Sequence, residues 1–243
     1  MRGVDAPLRS WPPGPPHVRT CAGAIDVWRA DLTAIGDGLE DLLCADERAR
    51  AARIVPARKR VLWAHSRGVL RALLGRYLER DPRALRFVLG PHGKPALAVE
   101  GTDAGEDLRF NLSHSGRLAL IAVSAAREVG VDLEIAGRRV LDEPAIAARV
   151  LGRAQAERLA ELDPQTRERE FMRAWVAHEA AVKCLGVGLG LGIEVVTPGD
   201  STSRLATPGD LWTAELDVGP DGYAAAVAVA GGECELHRWD WRG

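Results

Sequence analysis

The chain has 243 residues, 47% of them hydrophobic and 27% charged, so it can bury a core in one large domain or two small ones and is too apolar for general disorder. Its formal net charge of −2 gives no reason to expect nucleic acid or an anionic membrane as partner. No stretch approaches the ~20 apolar residues of a membrane span, and the first twenty residues lack the apolar run of a secretory signal. Cys21, Cys44, Cys184 and Cys234 form no Cys-x-x-Cys pair, which removes the usual zinc and redox motifs and fits a reducing, cytoplasmic setting.

Residues 1 to 20 contain Trp11-Pro12-Pro13-Gly14-Pro15-Pro16 and are expected to be mobile. Ile25 to Leu32 alternates as a first strand. Asp46 is a candidate cap for a helix running to about Ile54, and Pro56 separates it from a second helix over Ala57 to Leu78. This pair carries Arg48, Arg50, Arg53, Arg58, Lys59, Arg60, Arg67 and Arg71. It is either a solvated face or a docking surface for an acidic protein and for phosphate. Phe87 to Leu89, the loop Gly90-Pro91-His92-Gly93-Lys94-Pro95 and Ala96 to Val99 read as a hairpin.

Leu108 to Leu112 is a strand ending at Ser113-His114-Ser115-Gly116, and His114 there has a structural reading as a capped histidine. The apolar strand Leu118 to Ser124 is expected to turn back through Ala125 to Glu128 into Val129-Gly130-Val131-Asp132-Leu133-Glu134-Ile135. Period-two alternation places Asp132 and Glu134 on one side of that strand. Alone, they are the solvated face of an edge strand; with a third carboxylate they make a hard oxygen site suited to magnesium. Asp142-Glu143-Pro144 opens a short helix to about Val150, and a second runs from Arg153 to Leu162.

Asp163 and Pro164 cap a long helix that meets no further proline or glycine until Gly186. Trp175, Glu179 and Lys183 recur at intervals of four on one face, where Glu179 and Lys183 are either an ordinary surface pair or part of a site. Only three of the 32 basic residues are lysine, and one stands at the end of this helix. Gly186 to Gly192 follows a helix and precedes a strand, the reverse of a dinucleotide loop, so it reads as a C-cap and turn. Strands over Trp212 to Val218, Tyr223 to Ala230 and Glu235 to Trp239 close the chain.

In order and spacing, Asn-Leu-Ser-His-Ser (111 to 115), Gly-Val-Asp-Leu-Glu (130 to 134) and Trp-Val-Ala-His-Glu-Ala-Ala-Val-Lys (175 to 183) resemble the phosphopantetheinyl transferases of the larger, single-chain type. The family shows a Ser-His after a short strand, a Gly-x-Asp-x-Glu strand and a Trp-x-x-Lys-Glu-Ala-x-x-x-Lys helix. The resemblance covers roughly residues 25 to 230 and departs at His178, where the family prefers lysine.

It implies an α+β fold duplicated about a pseudo-twofold axis, each half a small antiparallel sheet with packed helices. The halves would be 21 to 120 and 121 to 243, the second carrying the metal site and the catalytic helix. It also implies transfer of the 4′-phosphopantetheine arm of coenzyme A to a serine of an acyl or peptidyl carrier protein. Mg²⁺ would be held by Asp132, Glu134 and Glu179. Glu179, Lys183 and Asp132 would serve the chemistry, with Glu179 as base. Lys94, Ser113, His114, Lys183 and His178 would grip the coenzyme, with Arg60 or Arg67 compensating for Leu62, where relatives often carry a basic residue. Two halves in one chain would make a monomer sufficient. A metal-dependent phosphodiester hydrolase and a binding module with weakened catalysis are the competing functions. A zinc protease is excluded, because the second histidine of its helix motif would fall at Val182.

Overall fold

The alternation read near residue 25 becomes β1 (Ala24–Asp31), the strand around which the first sheet is built. The computed structural model describes residues 11–21, 23–98, 107–135, 147–148, 152–187, 202–204, 210–219 and 222–243. After β1 come helices α1 (Ala45–Ala52) and α2 (Ala57–Leu78) and the hairpin β2 (Phe87–Leu89) and β3 (Pro95–Leu97). Strands β4 (Leu108–Ser115), β5 (Leu118–Ala125) and β6 (Val129–Ile135) follow, then helices α3 (Arg153–Ala160) and α4 (Pro164–Leu185). Strands β7 (Thr202–Arg204), β8 (Leu211–Glu215), β9 (Tyr223–Ala230) and β10 (Glu235–Asp240) complete the chain. The helix expected over 142 to 150 falls mostly outside the described residues.

Two four-stranded sheets, ordered β10-β1-β5-β4 and β6-β9-β8-β7, pack against each other. Ile25, Val27, Leu118, Leu120 and Ala122 of the first meet Val129, Val131, Leu133, Ala225, Val227 and Val229 of the second in one apolar core. The outer face of the first sheet carries α2 through Val69, Leu70, Leu73 and Leu74. The outer face of the second carries α4 through Val176, Ala177, Ala180 and Ala181. Alternating strands thus bury both faces of each sheet, giving helix, sheet, sheet and helix in layers.

Four expectations are corrected. β5 and β6 do not form a hairpin: β6 pairs with β9, Asp132 opposite Ala226, so the chain changes sheet in the turn after Ala125, and residue 120 lies inside β5. The first sheet is not wholly antiparallel, because β10 returns from the second half and runs parallel to β1, Ala24 opposite Glu235. That return covers an edge of β1 that would otherwise be open. The cap of α1 is Cys44, with the Glu47 carboxylate accepting the Cys44 amide at 3.0 Å, rather than Asp46. Within the segment expected to be mobile, residues from Trp11 onward are docked: the buried Trp11 indole donates to the Asp217 carbonyl at 2.9 Å, and the Gly14 amide donates to that of Asp240.

A buried guanidinium fastens the layers. Arg29, 1% exposed, pairs with Asp240 at 2.8 Å, donates to the Val218 carbonyl at 2.6 Å and lies over the Trp11 ring. On the other face of β1, the Asp26 carboxylate accepts from Tyr77 at 2.7 Å and from His237 and Trp239 at 3.0 Å, tying α2 and β10 to β1. Partial burial would lower the His237 pKa, but the Asp26 hydrogen bond and the charges of Asp26 and Glu235 outweigh it and raise it. The stabilisation is therefore full below the unfolded value of about 6.5 and is lost as pH rises through the raised folded pKa. His237→Gln should lower the Tm at pH 6, and the gap to the wild type should narrow by pH 9. A pH-independent gap in thermal melts would remove His237 from this linkage.

Candidate functional site

The site lies where β6 meets α4. Asp163 accepts the Thr166 amide at 3.1 Å, Pro164 occupies the first turn, and Gly186 ends the helix in a left-handed conformation at φ 65°. In between, Phe171, Ala174, Ala177, Ala180, Ala181 and Cys184 are buried, and Trp175, Glu179 and Lys183 form a half-buried face. On β6, Val129, Val131 and Leu133 enter the inter-sheet core, which leaves Gly130, Asp132 and Glu134 to α4. A Cβ on Gly130 would lie 2.1 Å from the Ala180 carbonyl oxygen, so strand and helix approach as closely as backbones allow.

That approach sets the charges against one another. The Lys183 ammonium lies 2.5 Å from Asp132 Oδ1, 3.1 Å from Ser113 Oγ and 3.4 Å from the Val131 carbonyl. Ser113 donates to Asp132 Oδ1 at 2.9 Å, and Ser115 donates to Glu134 Oε2 at 3.0 Å. Burial raises the Glu179 pKa, the negative charges of Asp132 and Glu134 raise it further, and only Lys183 opposes them. Asp132 Oδ2 and Glu179 Oε1 are both buried without a hydrogen-bond partner. Such oxygens are costly unless a cation or water meets them.

Among the described residues no three His, Cys, Asp or Glu groups converge as a preformed metal cluster. The donor set nonetheless fits a hard divalent cation, since the two unmet oxygens are carboxylates and, among the described residues, Asp132 is paired with Lys183 through Oδ1 while its Oδ2 is left over.

Other residues expected at the site stand differently. Lys94 reaches the β6 and α4 junction, but its ammonium donates to Glu128 at 2.5 Å, to the Cys184 carbonyl at 2.9 Å and to that of Val129 at 3.1 Å. These occupy all three of its donor positions. His114 is exposed on β4, and Arg60 is exposed on the first turn of α2. Arg67 is drawn inward, with Nε and Nη2 on Glu47 Oε1 at 3.1 and 2.8 Å and its guanidinium over Phe87. His178 is 3% exposed, so it presents no open surface to a phosphate. Leu62 packs against the core under α2.

Two residues were not singled out in advance. Asn111 accepts the Val131 amide at 3.0 Å through Oδ1, and Ser115 accepts the Ile135 amide at 3.2 Å while donating to Glu134. Asn111, Ser113 and Ser115 recur with period two on a strand, in step with Gly130, Asp132 and Glu134. That pattern was the available signal.

A family model described as the 4′-phosphopantetheinyl transferase superfamily matches residues 128–228, and one described as 4′-phosphopantetheinyl transferase, N-terminal, matches residues 34–126. The chain is 35% identical over 228 residues to the 4′-phosphopantetheinyl transferase HetI of Nostoc sp., covering 91% of this chain and 94% of that protein. It is 29% identical over 164 residues to a 4′-phosphopantetheinyl transferase of Bacillus subtilis, covering 63% and 69%. It is 28% identical over 154 residues to the human L-aminoadipate-semialdehyde dehydrogenase-phosphopantetheinyl transferase, covering 61% and 50%.

The burial of Glu179 carries a stability consequence. Its raised folded pKa means that the metal-free protein loses stability as pH rises from the unfolded carboxylate value through the folded one. Glu179→Gln should therefore raise the Tm in EDTA near pH 8, by roughly 2–4 °C for each kcal/mol relieved, and the gain should vanish at acid pH. An unchanged or lower Tm at pH 8 would show that the ionised carboxylate is not under strain.

Proposed function

The chain belongs to the 4′-phosphopantetheinyl transferase superfamily, and on that premise we propose that it transfers the 4′-phosphopantetheine arm of coenzyme A to a serine hydroxyl of an apo acyl or peptidyl carrier protein, releasing adenosine 3′,5′-bisphosphate. The observation that carries this reading is the pair of buried carboxylate oxygens, Asp132 Oδ2 and Glu179 Oε1, left without a hydrogen-bond partner beside the Lys183–Asp132 ion pair. Asp132, Glu134 and Glu179 would hold Mg²⁺, which when bound neutralises pyrophosphate charge.

The remaining steps belong to the chain's own side chains. The carrier serine oxygen attacks the phosphorus that bears pantetheine, the bond from that phosphorus to the bridging oxygen breaks, and the nucleotide leaves with the electron pair. Glu179 takes the serine proton, its pKa raised by burial and by the neighbouring negative charges. Lys183 supplies a fixed positive charge beside the leaving phosphate. Ser113 restrains Asp132, and His114, exposed on the same strand, is open to the coenzyme. Lys94, in this reading, holds β6 against the end of α4, where the coenzyme would lie.

The exposed Arg50, Arg53, Arg58, Lys59 and Arg60 support an acidic carrier as partner: no acidic residue occurs from Arg48 to Leu78, and Val55, 78% exposed, adds an apolar contact. The 22-residue lengths of both α2 and α4, each on the outer face of a four-stranded sheet, support a duplicated architecture, with the change of sheet after Ala125 and β10 returning to the first sheet. A monomer then has both halves it needs. Four free cysteines accord with a cytoplasmic setting, and no described helix is long and apolar enough to cross a membrane.

Purified protein incubated with coenzyme A, Mg²⁺ and an apo carrier should increase the carrier's mass by one phosphopantetheine. Asp132→Asn, Glu134→Gln and Glu179→Gln should each lower turnover by about 10²-fold or more while leaving the protein folded. Consumption of coenzyme A without carrier modification would mean hydrolysis instead. No reaction with any carrier, despite coenzyme binding, would leave a binding module.

A further inference from the structure

β6 is hydrogen-bonded along one edge to β9, and its other edge faces β4 without a backbone ladder. The gap is closed by β4 side chains. Asn111 accepts the Val131 amide at 3.0 Å, Ser113 donates to Asp132 at 2.9 Å, and Ser115 joins Glu134 to the Ile135 amide at 3.0 and 3.2 Å. Each β6 carboxylate is thus matched to one β4 serine at the same period of two. Ser113 shares its carboxylate with Lys183, so Asp132 has a second restraint.

Ser115 is 7% exposed, and its hydroxyl has one hydrogen to give. Its lone pair receives the Ile135 amide, whose position the β6–β9 ladder fixes, Ile135 standing opposite Tyr223. With that side committed, the O–H direction is set, and it points to Glu134 Oε2. The turn that ends β4 is held in turn: the Arg117 amide donates to Tyr223 Oη at 3.2 Å, and the Leu32 amide donates to the Arg117 carbonyl at 2.7 Å. Gly116 stands at φ 57°, and a Cβ there would lie 2.2 Å from Tyr223 Oη, so the turn admits no side chain.

From this geometry we infer that Ser115 is a positioning residue that orients the Glu134 carboxylate toward the divalent-cation site. The inference rests on the proposed role of Glu134 as a cation ligand. Glutamate has three side-chain torsions and samples many rotamers when unrestrained, and an outer hydrogen bond to a metal-binding carboxylate limits that sampling. Ser115 touches no reacting atom; it acts through Glu134.

The test compares Ser115→Ala, Ser115→Thr and, as a control for loss of a buried serine elsewhere in the same sheet, Ser124→Ala. Mn²⁺ affinity is read by electron paramagnetic resonance with coenzyme A present and no carrier, beside the Mg²⁺ dependence of transfer. Ser115→Ala should weaken Mn²⁺ binding about 10-fold and shift half-maximal Mg²⁺ activation upward by a similar factor, with saturating kcat and the KM for coenzyme A changed by less than about 3-fold. Ser115→Thr, which keeps the hydroxyl, should restore Mn²⁺ affinity, and Ser124→Ala should leave it unchanged. A Ser115→Ala protein with a lower Tm but wild-type Mn²⁺ affinity would overturn the proposal, leaving the serine as a strand fastener. Wild-type protein that binds no Mn²⁺ overturns it as well. Failure of carrier modification alone would defeat the functional reading while the Mn²⁺ titration still decides the role of Ser115.

Discussion

At Gly130 the backbone of β6 runs so near α4 that an added methyl would lie 2.1 Å from the Ala180 carbonyl oxygen and 2.3 Å from the Cys184 nitrogen. Everything chemical in the molecule depends on that approach. It brings Asp132 and Glu134 on the strand within reach of Glu179 and Lys183 on the helix, and it buries part of each charge as it does so. Three carboxylates against one ammonium leave an excess of negative charge in a half-dry cleft. The protein meets it in part: Lys183 and Ser113 hold Asp132, and Ser115 holds Glu134. What stays unmet, Asp132 Oδ2 and Glu179 Oε1, is the place a cation would fill.

The rest of the fold makes the approach rigid. Small residues on α4, Ala177, Ala180 and Ala181, pack on Ala226 and Ala228 of the second sheet and keep the helix low. Lys94 binds the Val129 carbonyl at the start of β6 and the Cys184 carbonyl near the end of α4 at once. Two of the three lysines in the chain therefore stand at this junction, one at the charge cluster and one at its edge. In the first half, Glu47 gathers Arg67 and Arg71; burial would raise its pKa, but those hydrogen bonds and the Cys44 amide lower it. The guanidinium of Arg67 is thereby committed to structure, while Arg60 stays at the surface.

How much of this the sequence showed depended on the range of the interaction. α4 was legible end to end because its cap, its first-turn proline and its terminal glycine are local signals, and α2 because Pro56 marks its start. The facing of Asp132 and Glu134 followed from strand periodicity alone. Sheet membership did not. Nothing local distinguishes a β5–β6 hairpin from a strand that leaves for another sheet, and the parallel return of β10 to β1 joins residues more than two hundred positions apart. The same limit hid the Asn111, Ser113 and Ser115 seam, whose period was visible but whose partner strand was not. His178 was open in the sequence between a phosphate contact and packing near Ala174 and Val182, one turn to either side, and in the structure it is buried.

The central claim is that the carboxylates and Lys183 form one site in which a divalent cation and coenzyme A support each other's binding. Calorimetric titration of coenzyme A into the protein, with Mg²⁺ and then with EDTA, measures that coupling without any carrier or turnover. Mg²⁺ should tighten coenzyme A binding about 10-fold or more, equivalent to a coupling of at least ~1.4 kcal/mol. Equal affinity in Mg²⁺ and in EDTA would contradict it.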